Sequence, residues 1–345
     1  MNIHAKRIED MRYLLSSKNL DAVLVTQPKE IYYFSGFHQD RTAILITKKR
    51  AFAVLPKMFL DHFKQTASFI EPLVYENYHE EVLKLIKKEN LKKTVFDPSL
   101  ESYAEGKFWI SSGLKEFSGL VSSLRMIKEG EELERVRKAC KIAAQTFKII
   151  KPKIKTGVKE VEIAAEMEHI MRKLGASEKS FDLIIAFGEN SALPHHETSH
   201  RKLRKNEAVL LDFGCVYGRY CSDITRTFFN GKPSEEFLKV YSIVEQSQKA
   251  GVASCLEGKK GREVDAVCRD IIAAKGYGQY FIHGTGHGVG LQIHEDPYLN
   301  TKGETILKSG MTVTVEPGIY LYGKFGVRIE DTVLVGKKKA EPLTR

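Results

Sequence analysis

The chain has 345 residues, 42% of them hydrophobic and 28% charged, with no low-complexity tract. This is the composition of a globular protein long enough for two domains. Its formal net charge of +10 is spread along the chain. Residues 1–127 hold 19 Lys/Arg against 15 Asp/Glu and the rest hold 35 against 29, so no nucleic-acid partner is expected.

From the N-terminus, Arg7–Leu15 reads as a helix and Ala22–Thr26 as a strand. Ala43–Ile46 and Ala51–Leu55 read as a hairpin around Lys48–Arg50. A helix (Glu80–Lys88), a strand (Thr94–Phe96) and another helix (Tyr103–Ile110) follow. This alternation predicts a small mixed sheet covered by helices. The acidic turn around Glu129–Glu134 marks a boundary and opens a long helix, which Pro152 stops near Ile150. No apolar run approaches a membrane span, and the N-terminus enters an amphipathic helix without a signal-peptide core. A cytoplasmic protein with no membrane partner is expected. The five cysteines (140, 215, 221, 255, 268) form no Cys-x-x-Cys pair and read as packing residues in a reducing compartment.

The most telling pattern is in the last 135 residues: Asp212, Asp223, His287, Glu316 and Glu330. Val209–Gly214 and Cys221–Phe229 read as two arms of a hairpin. A turn at Tyr217-Gly218 would pair Val216 with Arg219 and set Asp212 opposite Asp223. Facing carboxylates repel, so such a pair calls for a cation. Met311–Gly318 and Gly326–Val335 repeat the arrangement, with Glu316 and Glu330 lying 104 and 107 positions beyond Asp212 and Asp223. The helical stretches after Thr156 and Lys260 repeat at a similar spacing. The pattern predicts two copies of one unit around a shared site, each giving two acids.

Histidines lie nearby in sequence: His195 and His196 in one loop, His283 and His287 around Gly-Thr-Gly, and His294. Glycines 284, 286, 288 and 290 are expected to let backbone pack against an ion or substrate. The glycine pattern lacks P-loop spacing and a following Lys-Ser/Thr, which disfavours a nucleotide site. Four carboxylates and one imidazole form a hard ligand set that favours manganese, iron or cobalt. One divalent ion leaves four carboxylates undercompensated. Two neutralise them and support metal-assisted hydrolysis.

Leu211-Asp-Phe-Gly, Cys221-Ser-Asp-Ile-Thr-Arg-Thr, His283-Gly-Thr-Gly-His-Gly-Val-Gly, Val315-Glu-Pro-Gly-Ile-Tyr and Gly326-Val-Arg-Ile-Glu-Asp together resemble the pita-bread metallopeptidases. Within them the chain looks most like the Xaa-Pro aminopeptidase and Xaa-Pro dipeptidase (prolidase) group. Asn19–Val25 and Ile31–Phe37 resemble that group's N-terminal domain. The resemblance implies an α+β protein. A creatinase-like α/β domain (1–125), serving substrate gating or oligomerisation, would precede a pita-bread domain (126–345) with an internal pseudo-twofold repeat.

It also implies two divalent ions, manganese first, with cobalt, iron or zinc as alternatives. Asp212 and Asp223 would hold one ion, with Asp223 bridging; His287 and Glu316 would hold the other, with Glu330 bridging. Glu316 would take a proton from the attacking water and His294 would stabilise the tetrahedral intermediate. His195 and His283 would touch substrate, and Arg328, on Glu330's strand face, would orient the ligands. His196 has no assigned role, and His200 stands where the family pattern has an acid.

The activity expected first is that of an Xaa-Pro aminopeptidase, with Xaa-Pro dipeptidase as the alternative, acting on short proline-containing peptides as a homodimer. Methionine aminopeptidase shares the fold, but the N-terminal domain and the Pro-His-His loop count against it. A non-catalytic binding homologue would have lost ligands, and this chain keeps all five. Exopeptidases need one end of the substrate blocked, a task expected of the N-terminal domain. Arg41 is its candidate for a substrate carboxylate. Arg41→Ala should then impair cleavage of dipeptides more than of tripeptides, and equal effects would reject the contact.

Overall fold

The computed structural model describes residues 2–345, which divide after Arg125 into two units. In the first unit, six strands form one mixed sheet. They are β1 (Ala22–Val25), β2 (Ala43–Thr47), β3 (Ala51–Leu55), β4 (Glu71–Val74), β5 (Thr94–Phe96) and β6 (Lys115–Glu116). Their order is β4-β3-β2-β1-β5-β6, with β1–β3 antiparallel and the outer strands joining in parallel. Helices α1 (Ile3–Ser17), α2 (Pro28–Ser35), α3 (Leu60–Thr66), α4 (Tyr78–Lys88), α5 (Tyr103–Ser111) and α6 (Leu120–Arg125) complete the unit. Helix α4 shows how sequence sets an element. Asn77 caps its start, Glu80 and Glu81 fill the first turn, and Lys87 and Lys88 the last, all complementing the helix dipole. Its Val82 and Leu85 join Leu24, Leu45, Phe52, Phe96 and Trp109 in the core.

The second unit is built twice from one plan. Helices α7 (Glu131–Ile150) and α8 (Glu160–Lys173) have 20 and 14 residues; α9 (Glu235–Ser254) and α10 (Gly261–Ala274) repeat those lengths. Both α8 and α10 begin with a glutamate three residues in, Glu162 or Glu263, that accepts the N-cap backbone N–H. The first copy continues as β7 (Glu178–Lys179), β8 (Ile184–Phe187), β9 (Glu207–Phe213), β10 (Cys215–Tyr217), β11 (Tyr220–Cys221) and β12 (Ile224–Asn230). The second continues as β13 (Gly286–Gly288), β14 (Glu295–Leu299), β15 (Thr312–Val315), β16 (Gly318–Leu321), β17 (Phe325–Arg328), β18 (Asp331–Leu334) and β19 (Glu341–Pro342). The sheet order β8-β9-β12 in one copy corresponds to β13-β15-β18 in the other.

Each copy has its own apolar core. Helix α7 buries Ala139, Ile142, Ala143 and Ile150 against Leu211, Phe213 and Ile224. Val240, Val244, Val264 and Cys268 of α9 and α10 pack on Val313, Val315 and Val333. All five cysteines are buried thiols, as their packing role requires. No helix among the described residues is long and apolar enough to cross a membrane.

Threonines stitch the two copies together. Thr225 accepts the Glu330 backbone N–H at its carbonyl (3.1 Å), and its hydroxyl donates to the Glu330 carboxylate (2.7 Å). Reciprocally, Thr332 accepts from the Asp223 backbone N–H (3.3 Å) and donates to the Asp223 carbonyl (2.8 Å). The two threonines occupy the same place in the repeat, each two residues after its acid.

One detail of the predicted hairpin is corrected. The turn lies at Gly218-Arg219, both with positive φ, so Val216 pairs with Cys221 and Tyr217 with Tyr220. Asp212 therefore pairs with Thr225, not Asp223. The register differs from the expected one by two residues, which preserves facing, whereas a one-residue slip would have reversed it. The two acids are diagonal neighbours on one side of the ribbon.

Candidate metal centre

Strand ends deliver the acids. Asp212 is the penultimate residue of β9, Asp223 precedes β12, Glu316 follows β15 and Glu330 precedes β18, while His287 is the middle residue of β13. All five line one cavity of about 420 Å³. Ligand oxygens of Asp212, Asp223 and Glu330 lie within 4.8 Å of one another. His287 Nε2 is 3.3 Å from Glu316 Oε1 and 3.7 Å from Asp223 Oδ2. Its Nδ1 lies 3.1 Å from the Gly288 carbonyl; donation there turns Nε2 toward the acids, where it donates to Glu316 when protonated and can bind a cation when not.

Three carboxylate oxygens, Asp212 Oδ1, Asp223 Oδ1 and Glu330 Oε1, are buried without a hydrogen-bond partner. Native interiors rarely leave such oxygens unsatisfied, because stripping a carboxylate of water without a partner costs several kcal/mol. A cation among them satisfies all three. The donor set of hard oxygens and one imidazole fits divalent manganese, cobalt, iron or zinc.

Electrostatics carry the same message. Burial, reinforced by neighbouring carboxylates, pushes Asp223 and Glu330 well above the usual carboxylate range. Asp212 is also raised by burial, against the pull of Arg328. Burial acts on Glu316 in the same direction, but hydrogen bonding and charge from His287 outweigh it and hold the acid at about 2. His287 is correspondingly raised, its bond to Glu316 overcoming burial.

The remaining predicted residues fall around this centre. Arg328 pairs with Asp212 and donates to the Tyr320 hydroxyl (2.8 Å) and the Pro194 carbonyl (3.3 Å). The Tyr320 hydroxyl also meets His283 Nε2 at 2.8 Å, so one buried phenol joins His283 to Arg328. His294 stands edge-on to the His287 ring at 4.3 Å, and the exposed His195 also lines the cavity. Burial lowers the pKa values of His283 and His294, which keeps both neutral at pH 7.

His196 turns away. Its Nε2 meets Glu160 Oε2 at 2.8 Å, and the same carboxylate accepts from Ser199, Asn190 and the Phe187 N–H. His196 thus ties the 194–199 loop to the first turn of α8. His200 is exposed. The glycines around His287 answer to neighbouring strands instead of an ion: a Cβ at Gly286 would fall 2.0 Å from the Thr314 carbonyl, and one at Gly288 2.3 Å from that of Asp296. Tyr320 and the threonine pair were not anticipated. The repeated acid-x-Thr spacing of Asp223/Thr225 and Glu330/Thr332 was the available signal for the latter, since period two puts each threonine on its acid's face.

Comparison with known proteins places this geometry in context. Residues 134–337 match the model of metallopeptidase family M24, and residues 7–127 match the creatinase/prolidase N-terminal domain. An Xaa-Pro dipeptidase of Pyrococcus furiosus is 37% identical over 344 residues, covering 99% of this chain and 98% of that protein. A solved Xaa-Pro dipeptidase from Bacillus anthracis superimposes with a TM-score of 0.95 at 38% identity, over 99% of this chain and 98% of that one. An X-Pro aminopeptidase from Thermotoga maritima gives a TM-score of 0.85 at 33% identity, over 95% of this chain and 96% of that one.

Proposed function

The chain belongs to metallopeptidase family M24, and on that premise we propose that it is a metal-dependent Xaa-Pro dipeptidase. The observation that carries the catalytic part is the set of three orphaned buried oxygens on Asp212, Asp223 and Glu330. The dipeptidase reading is preferred over the aminopeptidase first expected because relatives named Xaa-Pro dipeptidase match over nearly their full length.

Asp212, Asp223, His287, Glu316 and Glu330 would hold two divalent ions. When bound, such ions polarise the scissile carbonyl and lower the pKa of the attacking water. The protein's own groups do the rest. Arg328 fixes the Asp212 carboxylate, and Thr225 fixes that of Glu330. Glu316, ionised at neutral pH, accepts the proton released by the attacking water. His294, neutral and lining the cavity, donates an N–H to the developing oxyanion. His195 and His283 would contact the substrate about the scissile bond. Phe181, Ile184, Pro194, Ile293 and Tyr298 give the cavity apolar walls. A prolyl ring has no N–H to lose to such walls, so shape and apolar contact would select it.

The reading is tested by supplying manganese and comparing Xaa-Pro dipeptides with Xaa-Pro-Xaa tripeptides. Preferential dipeptide cleavage is expected; preferential tripeptide cleavage would return the assignment to an aminopeptidase. His294→Ala should keep its metal content yet lose on the order of 10²–10³ in kcat, as removal of an oxyanion donor does. Loss of bound metal in that variant would mean that His294 has been given the wrong role.

A further inference from the structure

Beneath the loop that carries His294 lies a buried ion pair outside the five-residue centre. Lys128 Nζ is 2.7 Å from Glu295 Oε1, with the two side chains only 1% and 6% exposed. Lys128 does not belong to that loop. Its backbone N–H donates to the Gly310 carbonyl (2.9 Å), and Ile127 bridges to Met311, so the lysine is anchored just ahead of β15.

Glu295 opens β14 and pairs with Gly288, next to His287 on β13. Its carboxylate folds back under the connecting residues and accepts the Gln292 N–H (3.2 Å). The loop is packed onto this pair: a Cβ at Gly290 would lie 2.3 Å from Glu295 Oε1 and 2.9 Å from Lys128 Cε. The Gly290 carbonyl is in turn held by the Cys221 N–H at 2.8 Å. Ile293 and His294, the residues that this loop presents to the cavity, follow directly. Among the described residues no hydrogen bond holds the His294 imidazole, which rests against the His287 ring. Its position is therefore inherited from the loop backbone.

We propose that the Lys128–Glu295 pair is the positioning device for His294, acting on the reaction through that imidazole without touching substrate. A buried pair suits this task because its geometry is directional, whereas an apolar contact would tolerate sliding. The proposal rests on the role given to His294 above.

The test uses the full chain loaded with zinc for spectroscopy and with manganese for kinetics. In Lys128→Met, the imidazole resonances of His294, identified by their loss in His294→Ala, should move or broaden. Lys128→Arg should restore them. For an Xaa-Pro dipeptide, Lys128→Met should lower kcat on the order of 10–100-fold, as loss of a supporting contact does, with KM and metal content kept. Adding Lys128→Met to His294→Ala should cost nothing further. Unchanged His294 resonances in Lys128→Met, or kcat losses that multiply in the double variant, would overturn the proposal. Should Lys128→Met fail to fold, Lys128→Met/Glu295→Gln removes both charges together and gives the same readouts. If the unaltered enzyme does not cleave Xaa-Pro substrates, the functional reading fails, while the resonances still decide whether the pair positions His294.

Discussion

Asp223→Asn is expected to lower kcat/KM for an Xaa-Pro dipeptide by on the order of 10³-fold or more, equivalent to about 4 kcal/mol of barrier. Asp223 stands among the proposed ligands: its Oδ1 is unpartnered and its Oδ2 faces His287. Its backbone is held at both N–H and carbonyl by Thr332, so the substitution leaves the strand in place. Asparagine matches the size of aspartate but brings an amide where a charged oxygen is needed. The same change should raise the melting temperature of the metal-free protein at neutral pH, because it deletes a carboxylate whose ionised form is disfavoured by burial and by Glu330, Asp212 and Glu316. Opposite signs for activity and metal-free stability distinguish a ligand from a structural residue. Retained turnover, or a less stable metal-free variant, would show that Asp223 has another role.

Chelation should lower the melting temperature of the second unit, and the loss should grow as pH rises. Asp223 and Glu330 are raised in the folded state, so they contribute stability in their protonated form. That contribution is complete below the unfolded carboxylate pKa of about 4 and is lost as pH climbs through the raised folded values. Glu316, held at about 2, works in the reverse direction: its contribution is present above the unfolded value and lost on acidification toward 2. Metal-free protein should therefore melt higher near pH 5 than near pH 8. Metal binding needs the acids deprotonated, so it strengthens over the same interval. Each ion present at about 1,000 times its Kd adds about 4.1 kcal/mol, which for a unit of this size corresponds to roughly 8–16 °C per ion. Thermal unfolding with and without chelator at several pH values checks this. A metal-free protein that gains stability from pH 5 to pH 8 would contradict it.

Much of this was readable in the chain because the informative signals were local and periodic. Strands β1, β2, β3 and β5 are apolar runs bounded by polar turns, and α4 announces itself by its cap and charge bias. The duplicated plan showed as acids recurring at a nearly constant offset. The hairpin register escaped because a turn is decided by two residues, Gly218 and Arg219, of which the arginine gives no sign that it will adopt positive φ. Short or half-exposed elements such as β4 and α3 lack enough burial to leave a period. The bonds of Tyr320 to His283 and Arg328 join residues 37 and 8 positions apart, and Lys128 meets Glu295 across 167. Such pairings follow from the folded sheets and leave no mark in local sequence. The same holds for His196: adjacent to His195, it is drawn to Glu160 by a partner 36 residues away.

If the five side chains Asp212, Asp223, His287, Glu316 and Glu330 hold the ions on which peptide hydrolysis depends, bound metal and turnover must rise and fall together. The most direct measurement follows bound metal and turnover together, on one preparation of the full chain that is stripped by chelator and then titrated with manganese. Xaa-Pro hydrolysis should vanish on stripping and return in step with binding, reaching its plateau as two ions bind per chain. Full turnover by protein that carries no bound divalent ion would show that these side chains do not hold a catalytic metal.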